Sequence, residues 1–181
     1  MSELTNYDKF IQQALKYGFS LFGTAKTGAV ISYEDNDDGD LKMGYPKTGV
    51  RFINNGDGTI TDMASGLTWA QDAEGAGCFS GDTKTWAEAL LWAEGLTFAG
   101  QSDWRIPNIN ELYSICIKDN AIGAPFIDRD FFTNSKSEFY WSSTAYPLFS
   151  SGGLGTNFES GLITTSARTN AKHIRAVRGG V

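Results

Sequence analysis

The chain has one histidine, two cysteines, no clustered positive charge and no apolar run of membrane-spanning length. Each shortage closes off a class of function. A single histidine, His173, leaves no His/Cys cluster with zinc spacing and no HExxH helix. Cys78 and Cys116 are too few for a disulfide-stapled scaffold. They can pair, but free thiols are the expectation where no export signal is visible. Lys and Arg number 15 against 21 Asp and Glu, for a net charge of −6. The positive residues are scattered, apart from a loose group at Arg168, Lys172, Arg175 and Arg178. Nucleic acid, which asks for a clustered positive footprint, is not an expected partner. No stretch approaches the ~18 apolar residues of a membrane span, so no membrane insertion is expected. Residues 1–20 lack the basic start and apolar run of a signal peptide. The chain is then expected to stay inside the cell, to leave as part of a larger particle, or to be a piece of a longer secreted protein.

What remains is ordinary in bulk and unusual in two respects. Hydrophobic residues make up 41% of the 181 and charged residues 20%, which fits one soluble domain able to bury a core without staples. Aromatics at 13% and 21 glycines are high. Together they predict short strands joined by tight turns, with large rings filling a small core.

Residues 4–17 space Leu4, Tyr7, Phe10, Ile11, Ala14 and Leu15 as an amphipathic helix, and Gly18 stops it. Residues 1–22 are assigned to this helix, for packing, oligomerisation or attachment, and residues 23–181 to the domain proper. The early part of the domain is rich in Gly, Asp and Lys. There Asp37, Asp38 and Asp40 lie in Asp35-Asn36-Asp37-Asp38-Gly39-Asp40, which resembles half of a calcium loop. Tyr45 stands where the acidic twelfth ligand would be. Ca2+ on these carboxylates is one reading and a solvated acidic turn is the other.

Val50–Ile53 and Thr59–Thr61 flank Asn54-Asn55-Gly56-Asp57-Gly58, a strong hairpin signal. Leu67–Ala70 completes a three-strand meander with Trp69 buried. Two helices follow, each opened by a capping box, Thr85 to Glu88 and Asn108 to Glu111. The first buries Trp86, Ala89, Leu90, Ala93 and Leu96, and the second Leu112, Ile115 and Cys116. Phe139–Ser143 reads as a strand, Ser150–Gly155 as a Gly/Ser-rich loop, Asn157-Phe158 as a short strand and Lys172–Arg178 as the last strand. The order predicts an α+β plan.

Several blocks resemble the C-terminal domain of the Legionella collagen-like adhesin. They include Arg51 to Asp62 (RFINNGDGTITD), Gly66-Leu67-Thr68-Trp69, Thr85 to Leu90 (TWAEAL), Ser102 to Asn108 (SDWRIPN) with Glu111-Leu112, Tyr140 to Thr144 (YWSST) and Arg175 to Gly180 (RAVRGG). The resemblance covers roughly residues 24–180, with its blocks in the family's order. It implies a C-type-lectin-like fold: short antiparallel sheets, two packed helices, paired first and last strands, and a long loop region that carries the ligand surface. Many members carry a cysteine near the end of the first helix and another in the final strand. Ala93 and Ala176 stand at the corresponding positions here, as a reducing site of folding would permit.

The resemblance implies binding to a glycan or another cell's surface rather than chemistry. The expectation is a non-catalytic adhesion module for a glycan or cell-surface receptor, displayed on a bacterial surface or, as the absent cysteines favour, a phage particle, and forming a homo-oligomer. The alternative is a structural virion or appendage component that binds only protein subunits. Some relatives in the superfamily are enzymes using paired cysteines or histidine-bound iron, and the residues for neither are present. A Cys78–His173 nucleophile and base is conceivable, but nothing in the sequence positions it. Asp103, beside Trp104 and Arg105, is expected in an ion pair or turn. Tyr146, Phe149 and Asn157, in the late loops, are the expected ligand-binding residues, offering rings for stacking and an amide for hydroxyls.

Overall fold

Thr59-Ile60-Thr61 and Thr68-Trp69 alternate polar and apolar, the period of a strand with one face in the core. The computed structural model bears this out. It describes Lys26, Ala29, residues 31–41, Gly44, residues 51–118 and residues 122–179. The helix expected at 4–17, and the 1–22 segment with it, lie outside these residues. Strands β1 (Phe52–Asn54), β2 (Thr59–Asp62) and β3 (Thr68–Ala70) form the expected antiparallel meander. In the first hairpin Asn54 Oδ1 accepts the Gly56 N–H and Asp57 Oδ1 accepts the Thr59 N–H. Gly56 and Gly58 both have positive φ, where a Cβ is disfavoured.

Strand β7 (Val177–Arg178) joins this sheet on the far side of β3, giving the order β1-β2-β3-β7. The register sets Ile60 beside Trp69 and Trp69 beside Val177, and all three are fully buried. Removing a tryptophan side chain of ~200 Å² from water contributes roughly 5 kcal/mol at ~25 cal/mol per Å². Trp69 thus anchors the sheet. The resemblance implied pairing of first and last strands. The described strands differ, for β7 pairs with β3 while β1 lies at the opposite edge. The returning chain is drawn to Trp69, whose ring needs Val177 as a neighbour.

Helices α2 (Trp86–Glu94) and α3 (Ile109–Ser114) begin where the two capping boxes predict. A shorter helix, α1 (Asp38–Leu41), precedes the sheet. Ala89, Ala93 and Leu96 are buried on the first stripe, Leu112, Ile115 and Cys116 on the second. Between β3 and α2, Ala76–Gly81 forms a kinked 3-10 segment in which Phe79 and Ser80 have positive φ.

The second sheet has the order β4-β5-β6, from Phe139–Ala145, Gly152–Asn157 and Leu162–Ala167. Here the structure corrects two expectations. Gly152–Gly155 is strand, not loop, and β6 was not foreseen. A Cβ on Gly153 would come within 3.0 Å of the Trp141 and Trp86 rings, and one on Gly155 would strike the Phe139 ring and the Tyr140 carbonyl. The strand is glycine-rich because aromatic rings lie directly on its backbone.

The stretch expected as a final strand, 172–178, is mostly a connector between the sheets. His173 bridges Tyr140 of the second sheet, and its carbonyl accepts the Trp141 N–H. Four residues on, Val177 pairs with Trp69 on one side and Arg105 on the other. Two buried arginines tie the layers further. Arg51 meets Asp62 through Nε at 2.7 Å and also donates to the Ser114 carbonyl. Arg175 donates to the carbonyls of Ala70 and Gln71 and to Ser135 Oγ, over the Phe132 ring.

Candidate functional site

With Ile60 and Trp69 pointing into the core, the period of two sends Thr59, Thr61 and Thr68 to the opposite face of the meander sheet. Thr61 and Thr68 are cross-strand partners, and Thr68 is the partner of Arg178 in β7. A row of hydroxyl, hydroxyl and guanidinium therefore crosses three strands. This row lies in a groove of about 440 Å³, within the ~300–1,000 Å³ range of small-ligand sites.

One end of the groove is the first hairpin. Asn55 Nδ2 donates to Thr59 Oγ1 at 2.8 Å, Thr59 Oγ1 donates to Asp57 Oδ1 at 2.6 Å, and Thr61 Oγ1 donates to Asn55 Oδ1 at 3.1 Å. The chain of bonds fixes these groups relative to one another. The facing wall is the turn carrying Ala99 and Gln101, with Trp104 behind it. Phe98 and Gln101 exchange both backbone bonds across Ala99-Gly100, and Ala99 adopts φ 50°. Trp104 is buried against Phe98, ring centroids 5.4 Å apart, with its indole N–H on the Phe98 carbonyl. It supplies an apolar wall rather than an open stacking face.

Among the described residues the groove has one cation, Arg178, already paired. Arg178 Nε donates to Asp103 Oδ1 at 2.6 Å, and this bond holds the Asp103 carboxyl below its usual range. Asp57 places a carboxylate on the wall itself, so the negative groups at the groove outnumber the guanidinium. Asp103 is thus the ion-pair residue expected beside Trp104, although its partner is Arg178 rather than Arg105. Arg105 instead forms a fork with both oxygens of Glu111 at 2.7 Å. Burial pushes the Glu111 carboxyl up, but the bonds from Arg105 and from the Asn108 backbone outweigh it and leave the group below its usual value.

The residues expected from the sequence to bind ligand do not form one site. Tyr146 and Phe149 do meet, with ring centroids 5.8 Å apart, on the connection between β4 and β5. Phe149 and the neighbouring Leu148 are well exposed. Asn157 is at the other end of β5, roughly 17 Å away at ~3.3 Å per residue. Its Oδ1 accepts the Glu159 N–H and its carbonyl accepts the Gly161 N–H, closing the turn into β6.

The acidic stretch also organises itself. Asp37 Oδ2 accepts the N–H groups of Tyr33 and Glu34, and Oδ1 that of Asp40, capping helix α1. The Tyr33 bond is the largest reason its carboxyl titrates below the usual range. Asp40 in turn accepts the Asn36 N–H, while Asp38 is exposed. Asp37, Asp38 and Asp40 are not gathered around a common point. Among the described residues no group of three or more His, Cys, Asp or Glu side chains could hold a metal ion.

Cys78 and Cys116 are both buried and are not joined to each other by a disulfide. Burial pushes the Cys78 thiol up, against the pull of Arg175. Burial also holds the His173 imidazole below its usual value, with Glu138 opposing. The groups that act on Cys78 are Arg175, Asp72 and the Ala176 backbone. Those that act on His173 are Glu138, Lys136, Lys172 and the Gly81 backbone. His173 is not among the groups that shift Cys78, nor Cys78 among those that shift His173.

The groove residues escaped the sequence reading. The signal that could have found them is the threonine alternation itself, Thr59, Thr61 and Thr68 flanking buried Ile60 and Trp69. No described helix is long and apolar enough to cross a membrane. The family model described as the Lcl C-terminal domain matches residues 58–178, a span that contains β2 through β7 and nearly all of the groove. A comparison with curated proteins finds no match.

Proposed function

Because the chain belongs to the Lcl C-terminal domain family, an adhesin-like module, we propose that it works as a non-catalytic, lectin-like binding domain whose ligand is a glycan of a cell surface. The groove on the outer face of the meander sheet takes the ligand. The observation that carries this reading is the row Thr61, Thr68 and Arg178, held rigid beside Asn55, Asp57 and Gln101. Hydroxyl, amide and carboxylate groups in fixed positions match the donors and acceptors of a sugar, and Trp104 and Ala99 supply apolar surface for its CH face.

The charge of the groove selects within that class. Among the described residues the one guanidinium lining the groove, Arg178, is already paired with Asp103, and Asp57 adds a carboxylate. A sulfated glycan would need uncompensated cations. The favoured ligands are therefore neutral oligosaccharides. Single sites of this kind are weak, and display of several copies on a surface or particle would supply the avidity.

An array of neutral, sialylated and sulfated oligosaccharides tests the reading. The domain is expected to retain neutral glycans, and Thr68→Val and Gln101→Ala are expected to lower the signal about tenfold, the loss of one or two hydrogen bonds, without lowering the melting temperature. An array bound only at sulfated glycans, no retention at all, or retention indifferent to both substitutions would overturn it.

A further inference from the structure

Five consecutive apolar residues, Ala145-Tyr146-Pro147-Leu148-Phe149, run from the end of β4 into the turn toward β5. Tyr146 is partly buried and the other four are exposed, Leu148 at 73% and Phe149 at 65%. A folded surface leaves such a run in water only where it serves a contact. We propose that this turn docks on a phospholipid bilayer with anionic headgroups, dipping Leu148 and Phe149 into the headgroup layer without crossing it.

Charge and layering point to lipid as the occupant. Residues 139–157 and 160–167 carry no charge. The carboxylates that flank the sheet, Glu138 and Glu159, stand beside Phe139 and Asn157 at its other end, roughly 20 Å from the turn at ~3.3 Å per residue. The charge next to the turn is positive. Arg168 N–H donates to the Ser151 carbonyl, and Arg168 Nε donates to the Gly152 carbonyl at 3.0 Å. That same carbonyl accepts the Tyr146 N–H. Tyr146 and Arg168 are therefore anchored at one level, behind the apolar tip. Among the described residues Arg168 has no carboxylate partner, and its guanidinium lies 4.2 Å over the Trp86 ring. Glu88, in the first turn of the adjoining helix α2, is held by its own cap, with Oε2 accepting the Thr85 N–H and hydroxyl. From the tip inward the order is aliphatic and aromatic carbon, then tyrosine and arginine. That is the order of side-chain preference through a bilayer interface, and a basic group at that level meets lipid phosphate.

Flotation of the full chain with vesicles is the test, using phosphatidylcholine alone and phosphatidylcholine mixed with phosphatidylglycerol. The chain is expected to float with the mixed vesicles, and to bind phosphatidylcholine alone about fivefold more weakly, the worth of one basic residue near an anionic surface. Leu148→Ser combined with Phe149→Ser is expected to weaken binding at least about a hundredfold, the loss of two apolar side chains from the interface. Its melting temperature should not change, because both side chains are exposed. Arg168→Gln is expected to erase the preference for phosphatidylglycerol, and Arg168→Lys to keep it. A chain that floats with neither vesicle, or a double serine variant that still floats, would overturn the proposal. So would a vesicle-free mass that the double variant lowers, which would assign the turn to a second copy of the chain.

Discussion

Arg51 and Asp62 form an ion pair with no exposed side-chain surface on either partner. Burial of this kind is sustained only when every donor and acceptor is met. Asp62 also accepts the Ala64 N–H and the Ser65 hydroxyl, and Arg51 reaches Ser114 at the end of α3. The pair therefore joins the meander to a helix. Asp62→Ala leaves the guanidinium buried and uncompensated and is expected to cost about 3–5 kcal/mol, read from urea denaturation. A loss below about 1 kcal/mol would show that the pair adds little. His173 gives a second prediction at this scale. Its folded-state value lies below its unfolded one, chiefly through burial, so the unfolded chain binds the extra proton. The contribution is complete above the unfolded value of ~6.5 and is lost as pH falls through the folded value. Unfolding midpoints between pH 7.5 and 5 should fall, and His173→Gln should flatten that fall. An identical slope in the variant would contradict the assignment. Neither feature was legible as a contact in the sequence. Arg51 and Asp62 stand eleven positions apart and meet only because β1 and β2 pair, and Tyr140, the ring beside His173, is more than thirty positions away in the chain.

Elements whose causes are local were the ones the sequence announced. The Asn54–Gly58 turn, the capping boxes at Thr85 and Asn108, and the buried face of α3 all depend on residues within a few positions of one another. Strand β5 failed that test because its cause is distant. Gly152-Gly153-Leu154-Gly155 has the composition of a loop and becomes strand only because rings from β4 and α2 lie on it. This gives an element-scale prediction. Gly155→Ala must displace the Phe139 ring or the Tyr140 backbone, and is expected to cost about 1–3 kcal/mol, the range for overpacking. Gly152→Ala, whose Cβ would meet nothing nearer than 3.3 Å, should cost less. Equal thermal shifts for the two would mean that the rings yield freely. Strand β6 escaped the reading for the opposite reason: its side chains are mostly exposed, so no core face marks it.

At the scale of the molecule, the two sheets divide the work. The connector 172–178 holds them together through His173 on Tyr140 and Val177 on Trp69. The first sheet carries a polar groove on the face away from Trp69, and the second ends, among the described residues, in strand β6. The α+β plan was legible because the hairpin turn, the capping boxes and the buried Trp69 encode turns and core locally, and the family because the blocks around them resemble its own. The groove was not, because its residues come from β2, β3, β7 and the Ala99 turn and converge only in the fold. The sequence pointed instead to Tyr146, Phe149 and Asn157, which the fold divides between opposite ends of β5.

Titration of the isotope-labelled chain with a neutral oligosaccharide selected on the array, followed by amide and indole NMR shifts, tests the central claim most directly. The account predicts that the perturbed signals cluster at Thr61, Thr68, Gln101 and the Trp104 indole, with the Tyr146–Phe149 connection unmoved. Shifts confined to that connection, with the groove silent, would contradict it.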